Sequence, residues 1–539
     1  MEMKNFLLFI LLFIVSGLKL FPQWSNDSSN NLIVGYGLDP HICSDSAGGC
    51  YITYDYHTTS YPRWLAVERL DKYGYKPWGI KKRILGESPE QSEAEIIEDG
   101  EGGVIVSYID RYENLPYWTQ RVRVQRVDSS GNFSWEPTGV RVTLEEINQG
   151  DHHLVTDGNG GCVIAWQDVN YTYFINRIDR NGNRLWGNNG ITLNTGGANA
   201  QPIIVNAADG NYYLQAETII YRINQNGEIL NQFSSTILGQ SVPDPEGGVV
   251  VSGRVWNGMI PKLVAQRKDS LGNNLWQEPY VEIADSLYLN TSLSIKQNNG
   301  YFYFGWTGKR NGINKVAKFQ ALRLDGTKLF SDGSIQVGNP PLNGTIVHPL
   351  EENRTAFIYY SSDFLPDSLL VQTYDTSGNK LWNEDGILIA HPPIEYQSYT
   401  TDGNGGFIIG GVINNFTTVA QQVNKFGQLG EIITEIKDEA KNNIPTETTL
   451  YQNFPNPFNP TTTIKYDLPT FLNHSKAGTL VQLIVYDILG RRVKVLVDEV
   501  QQAGRYEVQF NASTLASDVY FFQLIVDQFI SSKKMILLK

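Results

Sequence analysis

The sequence predicts an all-β chain, in which a β-propeller built from a repeat of about fifty residues is followed by a small immunoglobulin-like β-sandwich. Three observations lead to this prediction. The composition, with 12% aromatic residues, 50 Gly and 18% charged residues, is typical of strands joined by turns. A turn of the form Asp-x-x-Gly-Gly recurs along the chain, and an element with Asp, Gly and Trp at fixed spacing recurs after it. The length of 539 residues accommodates two or more domains.

The first repeated element is a hairpin closed by the Asp-x-x-Gly-Gly turn. The residues before each turn alternate between apolar and polar, as in "HHLVT", and the residues after it form runs such as "CVIAW", which indicates two strands. The Asp carboxylate can accept backbone N–H groups within the turn, and the glycines can adopt positive φ. The five turn aspartates are Asp45, Asp99, Asp157, Asp244 and Asp402.

The second repeated element consists of an Asp, a Gly three residues later and a Trp seven residues later. It predicts a strand, a polar turn and a further strand opened by Trp, as in "RIDRNGNRLW". A Trp at one fixed place in each unit would dock between adjacent sheets. The five clear copies are Asp71/Gly74/Trp78, Asp128/Gly131/Trp135, Asp179/Gly182/Trp186, Asp269/Gly272/Trp276 and Asp375/Gly378/Trp382.

Together the two elements give eight units between residues 31 and 437, each with about four strands. Up-and-down meanders favour a propeller over a solenoid, with eight blades predicted and seven as the alternative, because the copies at 200–235 and 341–390 are weak. Residues 23–37 resemble a detached copy of a last strand. We therefore expect residues 31–38 to pair with the final sheet, which would hide an open edge.

The first 23 residues are predicted to be a secretory signal peptide. One Lys precedes an apolar run that is short for a membrane span, and small and polar residues follow. A buried N-terminal strand or helix is the alternative. The mature chain would start at Gln23 or Trp24 and would contain no transmembrane segment.

Export makes a disulfide between Cys43 and Cys50 a candidate, because these residues flank the first hairpin turn and could face each other. The alternative is two separate buried thiols. Cys162 occupies the Cys50 position of a later copy and is expected to be a small buried core residue.

The repeat ends before residue 438, and a different domain follows a linker predicted at 438–450. Residues 451–468, "YQNFPNPFNPTTTIKYDL", open this domain, and "VQLIVYDILGRRVKVLVD", "AGRYEVQFNASTLASDVYFFQL" and the terminal "KKMILLK" continue it. Strand-like alternation and apolar runs predict a small sandwich after Pro460. In their order, these four motifs resemble the type A C-terminal sorting domain of proteins exported by the type IX secretion system.

The resemblance implies a partner and a location. The signal peptide would take the chain across the inner membrane, and residues 451–539 would then be recognised by the type IX secretion machinery at the outer membrane. The mature protein would be secreted or attached to the cell surface. A net charge of −13 argues against nucleic acid and anionic membrane surfaces as partners.

The sequence lacks the common catalytic and cofactor motifs. H-E-x-x-H, G-x-S-x-G, phosphate-loop and dinucleotide-binding patterns are all absent, so we predict no catalytic residue, no metal and no cofactor. A "DGNGG" turn offers one carboxylate where a calcium loop needs several oxygens, so the turn aspartates are interpreted as turn formers.

A ring of polar side chains is the candidate ligand site. Four positions before each turn Asp stands a polar residue, on the strand that a propeller would place innermost. The alternative is that a strand start near solvent is simply polar. The ring residues are His41, Glu95, His153, Gln240 and Ser398.

These observations predict a secreted or surface-attached propeller that acts as a binding or structural module, with a glycan or another surface ligand as its partner. The main alternative is an enzyme that acts on glycans, a hydrolase or lyase, with Glu95, His41 and His153 at the channel mouth. A calcium-stiffened adhesin is a third possibility.

Overall fold

The computed structural model describes twenty segments of the chain, which fall into two compact units. The units comprise residues 1–431 and 432–539. The described residues are 24–57, 63–79, 83–85, 90–114, 117–193, 200–257, 260–276, 279–284, 293–310, 314–330, 333–337, 343–350, 354–360, 368–383, 385–430, 448–453, 455–469, 479–501, 504–526 and 529–538. The predicted signal peptide, 1–23, and most of the predicted linker lie outside these ranges.

The described part of the chain is all-β and contains no helix. The first unit contains β1 (Leu32–Ser44), β2 (Cys50–His57), β3 (Arg63–Leu70), β4 (Arg83–Leu85), β5 (Glu90–Glu98), β6 (Val104–Asn114), β7 (Tyr117–Val127), β8 (Val140–Arg141), β9 (Gln149–Thr156), β10 (Cys162–Asp168), β11 (Tyr173–Ile178), β12 (Ile191–Leu193), β13 (Ile203–Asn206), β14 (Tyr212–Ala216), β15 (Ile219–Ile223), β16 (Ile229–Ser234), β17 (Gly239–Pro243), β18 (Val249–Asn257), β19 (Ile260–Lys268), β20 (Val281–Ala284), β21 (Leu293–Asn298), β22 (Tyr301–Arg310), β23 (Asn314–Arg323), β24 (Ile335–Val337), β25 (Asn343–Pro349), β26 (Thr355–Tyr360), β27 (Leu369–Tyr374), β28 (Ile387–Ala390), β29 (Glu395–Thr401), β30 (Phe407–Ile413) and β31 (Thr417–Val423).

These strands form small antiparallel sheets in which chain neighbours pair. Within the described ranges, five separate sheets consist of four consecutive strands each, namely β9–β12, β13–β16, β17–β20, β21–β24 and β25–β28. A further group of four, β5–β8, belongs to an eleven-stranded sheet, which it joins through a single parallel pair between Arg63 and Glu90. Two further groups of strands in the same large sheet share β1. The end of β1 pairs with β2, which is followed by β3 and β4, and the start of β1 pairs with β31, the last strand of the group β29–β31.

Strand β1 joins the start of the unit to its end. Leu32, Ile33, Gly35 and Tyr36 pair with residues of β31, and the later residues of β1 pair with β2. The indole of Trp24 donates a hydrogen bond to the carbonyl of Lys72 at 2.9 Å. The prediction that residues 31–38 pair with the final sheet is therefore confirmed for the segment 32–36.

The core of the first unit lies between sheets. Eight hydrophobic clusters are present in the described residues, and each combines side chains from two neighbouring sheets. One of them packs Ile408 and Ala420, from the last sheet, against Val34, Ile52 and Tyr54. Each sheet thus buries both of its faces, which a four-stranded sheet could not do alone.

The two glycines of each hairpin turn have different roles. At the first, Gly48, φ is +92°, which favours glycine over other residues. The second, Gly49, does not need positive φ; a Cβ there would lie 2.1 Å from the carbonyl oxygen of Leu70 on the third strand. The same close approach to a backbone carbonyl recurs at Gly103, Gly161, Gly248 and Gly406. The repeated pair thus combines one conformational and one steric requirement.

The turn aspartates also anchor the third strand. In the second turn, Oδ1 of Asp99 accepts the N–H groups of Glu101 and Gly103, both at 2.7 Å, and Oδ2 pairs with Arg126 at 2.8 Å. The corresponding carboxylate–guanidinium pairs are Asp45–Arg69, Asp157–Arg177 and Asp244–Arg267, whereas Asp402 accepts a hydrogen bond from Gln422. These carboxylates are held by donors, which agrees with their interpretation as turn formers rather than calcium ligands.

The Trp of the second repeated element docks on the next repeat of the chain, as predicted. The indole N–H of Trp135 donates to the carbonyl of Arg180 at 2.9 Å, and its ring packs over Gly182, where a Cβ would lie 3.2 Å from the indole. The indole N–H groups of Trp78, Trp186 and Trp276 donate hydrogen bonds to backbone carbonyls in the equivalent turn of the following repeat. The Trp residues lie before the fourth strand rather than opening it, since β8 begins only at Val140.

The expected Cys43–Cys50 disulfide is not formed, and all three cysteines are free and buried. The register of the hairpin explains this. Cys43 pairs with Tyr51, and Cys50 pairs with Ser44, so the two sulfurs point to opposite faces of the sheet. They accordingly belong to two different hydrophobic clusters. Cys162 is a buried core residue, as predicted.

The C-terminal unit has two small sheets around one core. Its strands are β32 (Thr449–Leu450), β33 (Thr461–Leu468), β34 (Thr479–Tyr486), β35 (Arg492–Gln501), β36 (Gly504–Asn511), β37 (Val519–Val526) and β38 (Phe529–Ile536). The sheet orders are β32-β33-β36 and β35-β34-β37-β38, and residues of both line the shared core. Because Thr449 and Leu450 pair with β33, the last two residues of the predicted linker belong to a strand of this unit.

Candidate functional site

Four of the five predicted ring residues line one cavity, which we call the ring cavity. His41, Glu95, His153 and Ser398 lie on β1, β5, β9 and β29, the first strands of four successive sheets when β1 is assigned to the sheet of β2. The cavity has a volume of about 210 Å³. All four side chains are half-buried. Gln240, on β17, is exposed and does not line this cavity, so the structure does not bring it together with the others.

The ring side chains also bridge neighbouring sheets. Oγ of Ser398 accepts the N–H of Ile42 at 3.0 Å, and Oε2 of Glu95 accepts the N–H of Leu154 at 3.2 Å. Nδ1 of His153 accepts the N–H of Ile204 at 3.3 Å, which places the proton of the neutral ring on Nε2. Each acceptor thus binds the backbone of the next first strand. These residues therefore have a structural role in addition to lining the cavity.

His41 differs because it pairs with a carboxylate on its own strand. Its Nε2 lies 3.6 Å from Oδ1 of Asp39. Burial lowers the pKa of His41, but the contact with Asp39 outweighs this and leaves the pKa above its ordinary value. The same contact with His41 lowers the pKa of Asp39. The pair therefore favours an imidazolium beside a carboxylate at the edge of the ring cavity.

A second cavity, which we call the side cavity, lies beside the ring cavity and has a volume of about 400 Å³. It lies over the junction between the β2–β3 hairpin and the sheet that begins with β5. At this junction Arg63 pairs with Glu90 in parallel, a direct strand pairing between neighbouring sheets. Its polar lining consists of Asp39, Asp55, Arg63, Ser92, Glu93 and Arg111.

Asp55 is the most perturbed group of the side cavity. Its side chain is buried, and the residue is only 6% exposed. Burial, reinforced by the charge of Asp39, raises the pKa of Asp55 to about 7. The sequence analysis missed this residue. There was little signal for it in the sequence, because Asp55 stands at a polar position of the alternating run "ITYDYH", where an exposed carboxylate is the ordinary expectation.

No group of three or more His, Cys, Asp or Glu side chains with metal-binding geometry occurs among the described residues. The same part of the chain contains no helix long and apolar enough to cross a membrane.

Protonation of the half-buried His348 opposes folding of the first unit at acid pH. His348, on β25, packs edge-on against Tyr399, with ring centroids 5.0 Å apart. Burial, together with the charge of Lys296, lowers the pKa of His348 to about 3. The folded pKa lies below the unfolded value of about 6.5, so the neutral form is favoured on folding. The contribution is complete above pH 6.5 and is lost as the pH falls toward 3.

We therefore expect His348 to lower the unfolding free energy of the first unit by about 2 kcal/mol between pH 7 and pH 5, whereas Asp55, whose pKa is raised to about 7, contributes in the opposite direction over the same range. Urea unfolding followed by Trp fluorescence at each pH measures this. His348→Phe should raise the unfolding free energy at pH 5 relative to pH 7 by about 2 kcal/mol compared with the unsubstituted chain, whereas His391→Gln, which changes an exposed histidine, should leave this difference unchanged. An unchanged slope in His348→Phe would contradict the assignment.

The comparisons with known proteins identify the C-terminal unit. Residues 452–538 match the family described as secretion system C-terminal sorting domain. This confirms the predicted resemblance for that part of the chain. The match implies export by the type IX secretion system and a secreted or cell-surface location. No curated protein sequence matches the chain.

Many solved structures match at low similarity. PorZ, a surface component of the type-IX secretion system of Porphyromonas gingivalis, is 9% identical with a TM-score of 0.18, covering 95% of this chain and 100% of that one. The endo-arabinase of Bacteroides thetaiotaomicron is 9% identical with a TM-score of 0.27, over 67% and 99% of the two chains. The WD40 domain of Pan2 from Neurospora crassa is 10% identical with a TM-score of 0.35, over 75% and 99%. All three TM-scores lie below 0.5, so these similarities support no conclusion about fold or activity.

Proposed function

We propose that the first unit is an eight-bladed β-propeller that is exported by the type IX secretion machinery and acts as a binding module. Five separate four-stranded sheets support the blade number, together with an eleven-stranded sheet that divides into three groups of four when β1 is counted in two of them. The eight clusters between neighbouring groups of strands in the described residues support a closed ring. The pairing of β1 with β31 would close it. The alternative of seven blades would leave one of these sheets unassigned.

The ring cavity is the binding site in this proposal. The observation that carries it is the convergence of His41, Glu95, His153 and Ser398 on one cavity, although they are far apart in the sequence. Two imidazoles, a carboxylate and a hydroxyl offer both donors and acceptors. Such a lining suits a polar ligand, and a surface glycan is the class that we propose.

An enzyme acting on glycans at the ring cavity is the weaker candidate. Glycoside hydrolysis ordinarily uses two carboxyl groups on either side of the scissile bond. Among the described residues that line the ring cavity, Glu95 alone has a carboxyl group. His41 and His153 could serve as acid or base, but both already hold positions that bind other protein groups. Binding without turnover therefore fits this lining better.

A glycan and polysaccharide array probed with the full-length mature chain tests this function. We expect specific binding that Glu95→Ala and His153→Ala reduce by at least about tenfold, the effect of losing one good hydrogen bond. Gln240→Ala is the matched control, because it occupies an equivalent strand position outside the ring cavity. Binding that is equally strong in all three variants would exclude the ring cavity as the site.

A further inference from the structure

The side cavity is large enough to hold a small ligand. Its volume of about 400 Å³ falls within the range of about 300–1,000 Å³ that is usual for ligand pockets, whereas the 210 Å³ of the ring cavity does not. Its lining comes from two sheets, with Asp39 and Asp55 on the side of β1 and β2 and Ser92 on β5. The ring cavity and the side cavity adjoin through the Asp39–His41 contact but have separate linings.

The lining includes a buried hydroxyl that lacks a partner. Ser92 is 6% exposed, and its Oγ makes no hydrogen bond with any described residue. Burying a hydroxyl without a hydrogen bond is unfavourable, so an atom of this kind in a cavity indicates a missing partner. A ligand hydroxyl group in the side cavity would supply that hydrogen bond.

The charges of the side cavity balance one another. Arg111 donates hydrogen bonds to Glu90 at 3.2 Å and to Glu93 at 2.9 Å. Asp39 pairs with His41, as described above. A ligand with a net charge would bring an uncompensated charge into this partly buried space, which is costly. The cavity therefore favours a neutral ligand.

The protonation of Asp55 determines what the cavity can donate. Arg63, His41 and Arg111 stabilise the ionised form, but burial and the charge of Asp39 outweigh them, so the pKa of Asp55 is about 7. Below pH 7 this carboxyl group can therefore donate a hydrogen bond, while Asp39 remains an acceptor. Sugar hydroxyl groups both donate and accept, and so match this combination of groups.

We propose that the side cavity is a second ligand site, separate from the ring cavity, that binds a neutral saccharide through Ser92, Asp55 and Asp39. The described lining residues belong to the strands β1 to β3 and to β5 and β6. It does not depend on ligand binding by the ring cavity.

Ligand-observed NMR titrations with the full-length mature chain test this proposal. The probes are glucose, galactose, mannose and N-acetylglucosamine, their disaccharides, and glucuronate and glucosamine as charged comparators. We expect at least one neutral probe to bind at pH 6, and the charged comparators to bind with an affinity at least about tenfold lower. The affinity for the neutral probe should fall above pH 7 as Asp55 ionises. Absence of binding by every neutral probe at millimolar concentration would overturn the proposal.

Substitutions separate the two cavities. Ser92→Ala removes the hydroxyl without adding bulk to the cavity, and should weaken binding about tenfold. Asp55→Asn keeps a donor at every pH, and should abolish the pH dependence while binding persists. Gln240→Ala should change nothing. Binding that is insensitive to Ser92→Ala would overturn the proposal. Binding that is lost in His153→Ala would also overturn it and would assign the probe to the ring cavity. Thermal unfolding of each variant verifies its folding.

Discussion

A mature chain that lacks residues 24–36 is expected to lose its stable monomeric first unit. The deletion removes the strand segment that pairs with Thr417–Ala420, so β31 becomes an open edge that can pair with other chains. It also removes Trp24 and Val34, which are 3% and 1% exposed. Losing a buried Trp alone costs about 3–5 kcal/mol, a large share of the roughly 5–15 kcal/mol that stabilises a domain.

Size-exclusion chromatography and urea unfolding measure the effect of this deletion. We expect aggregates or higher oligomers and a strongly lowered midpoint, whereas Trp24→Ala, which retains the strand pairing, should remain monomeric with a loss of about 3–5 kcal/mol. A peptide of residues 24–38 added to the truncated chain should restore part of the monomer. A truncated chain that remains monomeric with the midpoint of the full mature chain would contradict the closing role of β1.

The second large effect is expected at the buried carboxylate–guanidinium pairs. Arg267 is 4% exposed, and its Nε lies 2.8 Å from Oδ2 of Asp244, which is fully buried. Arg267→Ala would leave this carboxylate without its counter-charge, which typically costs about 3–5 kcal/mol. Arg267→Gln should cost less, because the last sheet already combines Asp402 with Gln422 in the same place.

Urea unfolding of the full mature chain, followed by Trp fluorescence, compares these variants. Lys262→Ala is the matched control on the same strand, because the Lys262–Glu282 ion pair is partly exposed and should contribute less than about 1 kcal/mol. If Arg267→Ala were no more destabilising than Lys262→Ala, the buried pairs could not be essential to the repeat.

Much of the repeat could be predicted because its turns depend on interactions between residues that are close together in the sequence. The Asp-x-x-Gly-Gly turn carries its own hydrogen bonds and its own steric requirement, so every copy is visible within five residues. Trp135 was likewise found from fixed spacing to Gly131. The arginine partners of the turn aspartates were missed because their distance along the chain varies, from 20 residues at Arg177 to 27 at Arg126.

For the candidate sites too, local features could be predicted from the sequence and long-range features could not. Strand position relative to the turn sufficed to predict that His41, Glu95, His153 and Ser398 would lie close together, but not that Gln240 would lie outside their cavity. The side cavity depends on features that no local pattern reveals. These are the irregular register around Asp39 and Glu93 and the pairing of Arg63 with Glu90 across two sheets. A single-residue error in register also accounts for the incorrect disulfide prediction.

The pairing of β1 with β31 sets the order of events in biogenesis. Gly37 and Thr418, which are joined by a hydrogen bond between the two strands, are 381 positions apart in the chain. The start of β1 therefore has no pairing partner until almost the whole repeat region has been synthesised and transported. Contacts between residues so far apart in the sequence slow folding. The sorting domain follows immediately behind. Because closure of the first unit is slow, the sorting domain can be presented before that closure is finished.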